Sequence, residues 1–247
     1  MLLNQPQVRR AAPHQMTAVI KRLFPGLVIA TLAYAQAEAQ QPPHVSPSAP
    51  QTSAPPRPAR ANFRGDTAPI SVRRMADWVV ASADNGSLPF VIVDKKDAEV
   101  FVFDRQGQVL GGAPALLGLA VGDDSAPGVG EKPLSAIPPK DRTTPAGRFV
   151  GYLDHDPGKP NFLWVDYKNN VSLHRVVKGR PQDQRAQRLA SPTPLDNRIS
   201  FGCINVPIDF FDRTVLPTFK GTKGIVYVLP EIKAMRDFFS KYSDVNE

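Results

Sequence analysis

Nucleophilic chemistry in this chain has one natural candidate, Cys203, the only cysteine, in the run RISFGCINVP (198–207). A free cysteine is also a common small core residue, so its neighbours must distinguish the two roles. Gly202 lets the backbone approach a ligand closely, and the N–H groups beside it could bind an oxyanion. A helix predicted over 207–216 would place its positive end near the sulfur and favour the thiolate.

A cysteine nucleophile needs a base, and the best-placed one is His174 in the predicted strand NVSLHRV (170–176). Alternation puts Val171, Leu173 and Arg175 on one face of that strand and Ser172, His174 and Val176 on the other. The alternative role of a lone strand histidine, and the more frequent one, is that of a hydrogen-bonded core or surface residue. His155 lies in the polar run DHDPGKPN, where we expect it to be solvated.

Composition excludes several classes of site. A single cysteine rules out an intrachain disulfide and any multi-cysteine metal site. The histidines show no metal-ligand spacing, so we expect neither a metal nor a cofactor; they are His14, His44, His155 and His174. The formal charge of +7 is not gathered into a dense basic stripe, so no nucleic-acid partner is expected.

The N-terminal region is typical of an exported protein. Four basic residues, the short apolar core LFPGLVIATLAY (23–34) and Ala37-Glu38-Ala39 predict a signal peptide over 1–39, with Met1 or Met16 as the start. Such a segment meets the membrane only transiently, during export. Residues 40–64 are rich in proline, serine and alanine, which predicts a disordered linker.

The rest of the chain predicts a mainly β domain. A helical lead-in (65–88) carries SVRRMADWVVASAD, with Ser71 as a possible N-cap. LPFVIVD and EVFVFD form a hairpin signal joined by KKDA, and GRFVGYL, NFLWVDY, NVSLHRV and GIVYVLP predict further strands. Long polar segments lie between them. We therefore expect an antiparallel sandwich or barrel-like domain over 89–230 with a few peripheral helices, and a C-terminal helix over 231–247.

The run from about Phe90 to Leu229 resembles the catalytic domain of L,D-transpeptidases, the cysteine enzymes that cross-link peptidoglycan. The family's signature is a histidine followed, after a gap, by Ser/Thr-His-Gly-Cys-hydrophobic-Asn/Arg. His174 and the run Ser200 to Asn205 match it in order and type, except that Phe201 replaces the second histidine. VIVDKKDAEVFVFDRQGQV and TTPAGRFVGYL are also similar to family segments. The polar insertion 177–197 lengthens the usual gap, as a lid, a specificity loop or a surface excursion.

The resemblance implies roles for these residues. Cys203 would be the nucleophile and His174 its base, with the Arg175 carbonyl holding the imidazole. The N–H groups of Gly202 and Cys203 would be the oxyanion donors. Further residues would line the substrate site: Ser200, Phe201, Asn205, Arg198 and Arg175. Turn capping is the alternative role of Ser200 and Asn205, and solvation that of Arg198.

The implied reaction takes place in the periplasm or cell envelope. The enzyme would cut a peptidoglycan tetrapeptide stem before its terminal D-alanine and pass the acyl group to an amine, on another stem or on an envelope protein. Carbapenem-type inhibitors would acylate Cys203. Two alternatives stay open: hydrolysis by the same pair, as a carboxypeptidase or endopeptidase, and a non-catalytic wall-binding module.

Overall fold

The computed structural model describes residues 60–155, 158 and 160–243. These all fall in one compact unit, residues 53–247. The predicted signal peptide and most of the predicted linker lie outside the described residues. Within the described part, no helix has the length and apolar character needed to cross a membrane.

The domain is mainly β, as the sequence predicts. Its strands in chain order are β1 (Phe90–Asp94), β2 (Glu99–Phe103), β3 (Val109–Pro114), β4 (Leu117–Gly118), β5 (Gly147–Asp154), β6 (Phe162–Asp166), β7 (Val171–Arg175), β8 (Arg198–Ser200), β9 (Ile204–Val206) and β10 (Lys223–Val228). Runs of β-branched and aromatic residues account for the longer ones, because such side chains pack well on a pleated surface.

Eight of these strands form one sheet in the order β3-β2-β1-β10-β5-β6-β7-β9, and β4 pairs with β8. Most neighbours are antiparallel, including the predicted β1–β2 hairpin. Two neighbours in the sheet are parallel instead, β1 with β10 and β7 with β9. The predicted mainly β, barrel-like domain with few helices is confirmed, and its sheet is parallel rather than antiparallel at these two places.

The sheet is nearly closed at its two outer strands. Leu116, just after β3, exchanges two backbone hydrogen bonds with Asn205 of β9, with N···O distances of 2.8 and 2.9 Å. This bridge satisfies edge groups that would otherwise face solvent. It also fixes β9, the strand that follows Cys203, from the side opposite β7.

Two apolar clusters pack on the two faces of the sheet. One holds Val91, Leu173, Ile204 and Val226 together with Phe211. The other holds the opposite faces of the same central strands, packed against the first helix; its members include Val72, Met75, Trp78, Phe90, Ile92 and Tyr227. Burial on both faces explains why β1 and β10 are almost continuously apolar.

The helices are short apart from the first. They are α1 (Ile70–Ser82), α2 (Arg185–Ala190), α3 (Ile208–Phe210), α4 (Leu216–Phe219) and α5 (Met235–Phe238). A π-helical turn, Phe211–Val215, joins α3 to α4, so the predicted helix after Cys203 is present in this broken form. Only α5 represents the predicted C-terminal helix in the described residues.

Two predicted boundaries are corrected. Helix α1 begins at Ile70, and Ser71 is not its N-cap: the Ser71 hydroxyl donates instead to the Asp94 carboxylate. The structured part also starts before residue 65. Asn62 pairs with Gln108, and Phe63 is buried with its ring edge against Phe103, at 5.5 Å between centroids. The end of the predicted linker therefore belongs to the domain.

Candidate active site

The pairing of β7 with β9 brings the two sequence-predicted reactive residues together. In this parallel ladder Leu173 lies opposite Ile204, and His174 lies opposite Asn205. Leu173 and Ile204 point into the core. Because side chains alternate along a strand, Ser172 and His174 on β7 share the other face with Cys203 and Asn205.

The Cys203 sulfur is half-buried among polar groups. The Ser172 hydroxyl oxygen lies 3.7 Å from Sγ, and the carbonyl oxygen of Asn170 also lies 3.7 Å from it. These polar neighbours differ from those of a core cysteine, which would be enclosed by apolar side chains.

Thiol and imidazole shift each other's pKa toward the ion pair. Burial by itself would raise the pKa of Cys203, but the hydrogen bond and charge of His174, with smaller contributions from Ser172, lower it. Burial would likewise lower the pKa of His174, yet the hydrogen bond and charge of Cys203 raise it. Each shift depends on the other group, so the two residues titrate as one pair. A lowered thiol pKa supplies more of the nucleophilic thiolate.

The second imidazole nitrogen is held in place. His174 Nδ1 lies 2.7 Å from the Arg175 carbonyl oxygen, the contact implied by the resemblance. The Arg175 guanidinium points elsewhere: its Nε donates to Asp212 Oδ1 at 2.7 Å, and it stacks on the Phe211 ring. The Arg175 backbone therefore orients His174, whereas its side chain contacts the segment after Cys203. A substrate role for that side chain stays a prediction.

Gly202 gives the loop before Cys203 a conformation that other residues rarely adopt. Its φ is +129°, and a Cβ placed there would lie 2.8 Å from the Thr143 carbonyl oxygen. Its N–H donates to Ser200 Oγ at 3.1 Å, and its carbonyl accepts from Thr144 Oγ1 at 2.9 Å. The expected oxyanion donor is thus already hydrogen-bonded within the loop.

Ser200 and Asn205 hold the Cys203 backbone through its carbonyl group. Both are buried, and both donate to the Cys203 carbonyl oxygen, at 2.6 Å from Ser200 Oγ and 3.2 Å from Asn205 Nδ2. These hydrogen bonds correspond to the turn-capping alternative that the sequence left open. A role of the two residues in lining the substrate site stays a prediction.

Arg198, for which substrate binding stays a prediction, has partners within the protein. Its guanidinium pairs with Glu231 and donates to the Lys95 carbonyl oxygen at 2.9 Å. Lys95 itself is fully buried: Nζ lies 2.7 Å from Asp123 Oδ1 and 3.6 Å from Glu231. Lys95 Nζ also donates to the Thr144 carbonyl, so this network supports the residue that holds Gly202.

Phe201 replaces a histidine of the resembled signature. The Arg142 guanidinium carbon lies 4.1 Å from the centre of the Phe201 ring, a cation–π contact. The position therefore presents a cation stacked on an aromatic ring. His155 is exposed, as the sequence predicts, and its backbone N–H donates to the side chain of its neighbour Asp154.

Three residues near the dyad were not singled out from the sequence. Ser172 lies on the same face of β7 as His174, and the alternation of side chains along the sequence already indicates this. Thr144, in the TTPAGRF run, holds the Gly202 carbonyl. Arg185 comes from the insertion 177–197, and its Nη1 donates to Asn205 Oδ1 at 3.1 Å. No pattern in a polar insertion indicates which of its cations returns to the site.

Within the described ranges, no group of three or more His, Cys, Asp or Glu side chains could hold a metal ion. The arrangement that is present consists of a thiol, an imidazole oriented by a carbonyl, and a rigid glycine loop. These are the parts that covalent catalysis through a cysteine requires.

Comparison with known proteins finds only distant structural likeness. No family profile and no curated protein matches the sequence. Among solved structures, the cell shape determining protein Pgp2 of Campylobacter jejuni has 17% identity and a TM-score of 0.40, over 59% of this chain and 49% of that one. An L,D-transpeptidase of Enterococcus faecium has 16% identity and a TM-score of 0.32, over 57% and 49%. One of Mycobacterium smegmatis has 15% identity and a TM-score of 0.32, over 57% and 58%. The chain thus spans about half the length of the first of these structures, and at this level of likeness nothing about activity follows.

Proposed function

We propose that this protein is an exported cysteine acyltransferase of the L,D-transpeptidase kind, acting on peptidoglycan stem peptides. The observation that carries the proposal is the Cys203–His174 pair, with a lowered thiol pKa and His174 Nδ1 2.7 Å from the Arg175 carbonyl oxygen. The signature run Ser200 to Asn205 supports the substrate class.

The first half-reaction forms a thioester. The Cys203 thiolate attacks the carbonyl carbon before the terminal D-alanine, so that a C–S bond forms. The C–N bond breaks as the His174 imidazolium gives its proton to the leaving amine. Since this amine would otherwise leave as an anion, the positioned proton is worth about 100- to 10,000-fold in rate.

The second half-reaction transfers the acyl group. An acceptor amine attacks the thioester carbonyl and gives its proton to the neutral His174, a new amide forms and the C–S bond breaks. The thiolate and imidazolium are thereby restored. An amine on a second stem would give a cross-link, and one on an envelope protein would anchor that protein to the wall.

The oxyanion of the tetrahedral intermediate needs a donor. Because the Gly202 N–H is bound to Ser200 Oγ, we assign this role to the Cys203 N–H. One such donor contributes roughly 3 kcal/mol of transition-state stabilisation in other enzymes. The rigid loop would hold it in place before substrate binds.

The test is product analysis by mass spectrometry with purified stem tetrapeptides and the wild-type protein. We expect loss of D-alanine with appearance of a cross-linked dimer, or exchange when a D-amino acid is added. Cys203→Ala should abolish this, His174→Ala should cripple it, and His155→Ala, an exposed histidine, is the matched control. Full activity in Cys203→Ala would contradict the proposal.

The same experiment separates the alternatives. A trimmed stem without any transfer product would identify a hydrolase that uses the same pair. Absence of both products, together with a thiol inert to carbapenem, would leave a wall-binding module. Export is checked separately: the mature chain should begin near Gln40 in the envelope fraction, and a cytoplasmic chain with an intact leader would contradict it.

A further inference from the structure

The insertion 177–197 forms a groove that begins just after the catalytic strand. The groove has a volume of about 300 Å³, and its walls include the apolar side chains of Val176, Val177, Pro181 and Ile208. Arg180 and Arg185 add positive charge to it. Neither Cys203 nor His174 lines it, but Val176 follows the dyad strand directly.

Arg185 belongs both to this groove and to the surroundings of the dyad. Its Nη1 donates to Asn205 Oδ1 at 3.1 Å, and Asn205 lies opposite His174 in the β7–β9 ladder. The guanidinium charge also reaches His174, where it opposes the rise in the imidazole pKa. The insertion therefore places the Arg185 guanidinium near the catalytic base, His174.

The Arg185 guanidinium has unused hydrogen-bonding capacity. Its Nε is buried, and the described residues offer it no hydrogen-bond acceptor. Asp183 Oδ2 lies 3.6 Å from Nε, too far for a hydrogen bond, and the Asp183 carboxylate also pairs with Arg180. A buried donor without an acceptor is unfavourable, and the one hydrogen bond that the guanidinium makes uses Nη1 alone. A carboxylate that enters the groove lined by Arg185 would therefore meet a cation with hydrogen-bond donors to spare.

We propose that Arg185 binds the free α-carboxylate of the amino acid on the leaving side of the scissile bond. This rests on the proposed function. The leaving amine must lie within hydrogen-bond reach of His174 to receive its proton. In an amino acid one carbon atom separates that nitrogen from the carboxylate, which places the carboxylate next to the base, where Arg185 lies. The site thus selects a peptide whose last bond is the one cut.

The same contact selects the acceptor. An acceptor amine enters where the leaving amine departed, so an amine with a carboxylate on the adjacent carbon is favoured over a simple alkylamine or water. Of the acceptors considered above, this favours an amino acid or a stem with such an amine over an amine of an envelope protein. The insertion that lengthens the gap between His174 and Ser200 is then a specificity element.

Binding to the full-length Cys203→Ser protein, which cannot turn over, tests the inference. Calorimetry compares a stem tetrapeptide with a free C-terminal carboxylate and the same peptide with a C-terminal amide. The acid should bind roughly tenfold or more tightly than the amide. Arg185→Gln in the same background should remove that preference. Arg213→Gln, which removes an exposed cation on another segment, should keep it.

Equal affinity for the acid and the amide, or binding of neither, overturns the inference. So does an equal loss for both peptides in Arg185→Gln, which would show a purely structural role. If that variant does not fold, Arg185→Lys replaces it, and its acid preference should still fall because a single ammonium cannot reproduce the guanidinium fork. An acid preference without any acyl transfer by the wild type would refute the proposed function but leave the carboxylate site standing.

Discussion

Gly202→Ala should disable the loop that carries the nucleophile. The added Cβ would lie 2.8 Å from the Thr143 carbonyl oxygen, a backbone atom that cannot rotate away, and the backbone φ of +129° is itself unfavourable for alanine. Such strained conformations cost about 1–3 kcal/mol. A shift that relieves the contact would loosen the hydrogen bonds to Ser200 and Thr144, at about 1 kcal/mol each. We expect a total loss of about 3–5 kcal/mol in the free energy of unfolding.

Gly221→Ala is the matched control, since Gly221 also has a positive φ, +75°, but no atom lies within 4 Å of a Cβ there. It should cost only about 1–2 kcal/mol. Urea denaturation gives both values, and alkylation of the folded proteins by an uncharged thiol reagent reports the position of Cys203. Alkylation should slow in Gly202→Ala alone. Equal destabilisation in the two variants, with wild-type alkylation in both, would refute this account of the loop.

Three further predictions concern the residues that support the site. Burial would raise the pKa of Asp123, but hydrogen bonds from Lys95 and three backbone N–H groups hold it at about 2, below its ordinary 3.8. This stabilisation is fully present above the ordinary pKa and is lost on acidification. Urea titrations of the wild type should therefore show a loss of about 2 kcal/mol in the free energy of unfolding between pH 4 and pH 2, and Asp123→Asn should not show it. An unchanged acid dependence in the variant would contradict this explanation. Lys95→Met should lower the unfolding free energy by about 3–5 kcal/mol at pH 7, because Asp123 stays buried without its partner, and a neutral result by thermal denaturation would argue against the network. Ser200→Ala should cost about 1–3 kcal/mol and slow alkylation of Cys203, because the Gly202 N–H and the Cys203 carbonyl lose a partner; Ser191→Ala, in the insertion, is the control and should leave alkylation unchanged.

The sequence predicts the strands well where local composition decides them. The runs around Val91, Val102 and Val226 are apolar enough to indicate strands alone, and the structure has β1, β2 and β10 there. It does not predict that β1 pairs with β10 in parallel. That choice joins segments more than a hundred residues apart, and it depends on packing rather than on local propensity.

The candidate site likewise has a part that the sequence predicts and a part that it does not predict. Residue type and alternation are sufficient to single out Cys203 and His174; the structure places His174 on β7 and Cys203 directly before the adjoining strand β9. The sequence does not predict the positions of the polar residues around them, because a hydrogen-bonded charge can be buried wherever a partner exists. Lys95 sits in what the sequence indicates as a hairpin turn, yet its ion pairs bury it completely. Arg198 likewise pairs with Glu231, a partner that the sequence does not indicate.

The pH dependence of Cys203 alkylation tests the central claim most directly. An unperturbed thiol has a pKa of about 8.5, whereas hydrogen bonding with His174 lowers that of Cys203. The wild-type protein should therefore react with an uncharged alkylating reagent at pH values well below 8.5, and His174→Ala should move the midpoint upward. A wild-type midpoint at or above 8.5, unchanged by His174→Ala, would show that the two residues do not form an activated pair.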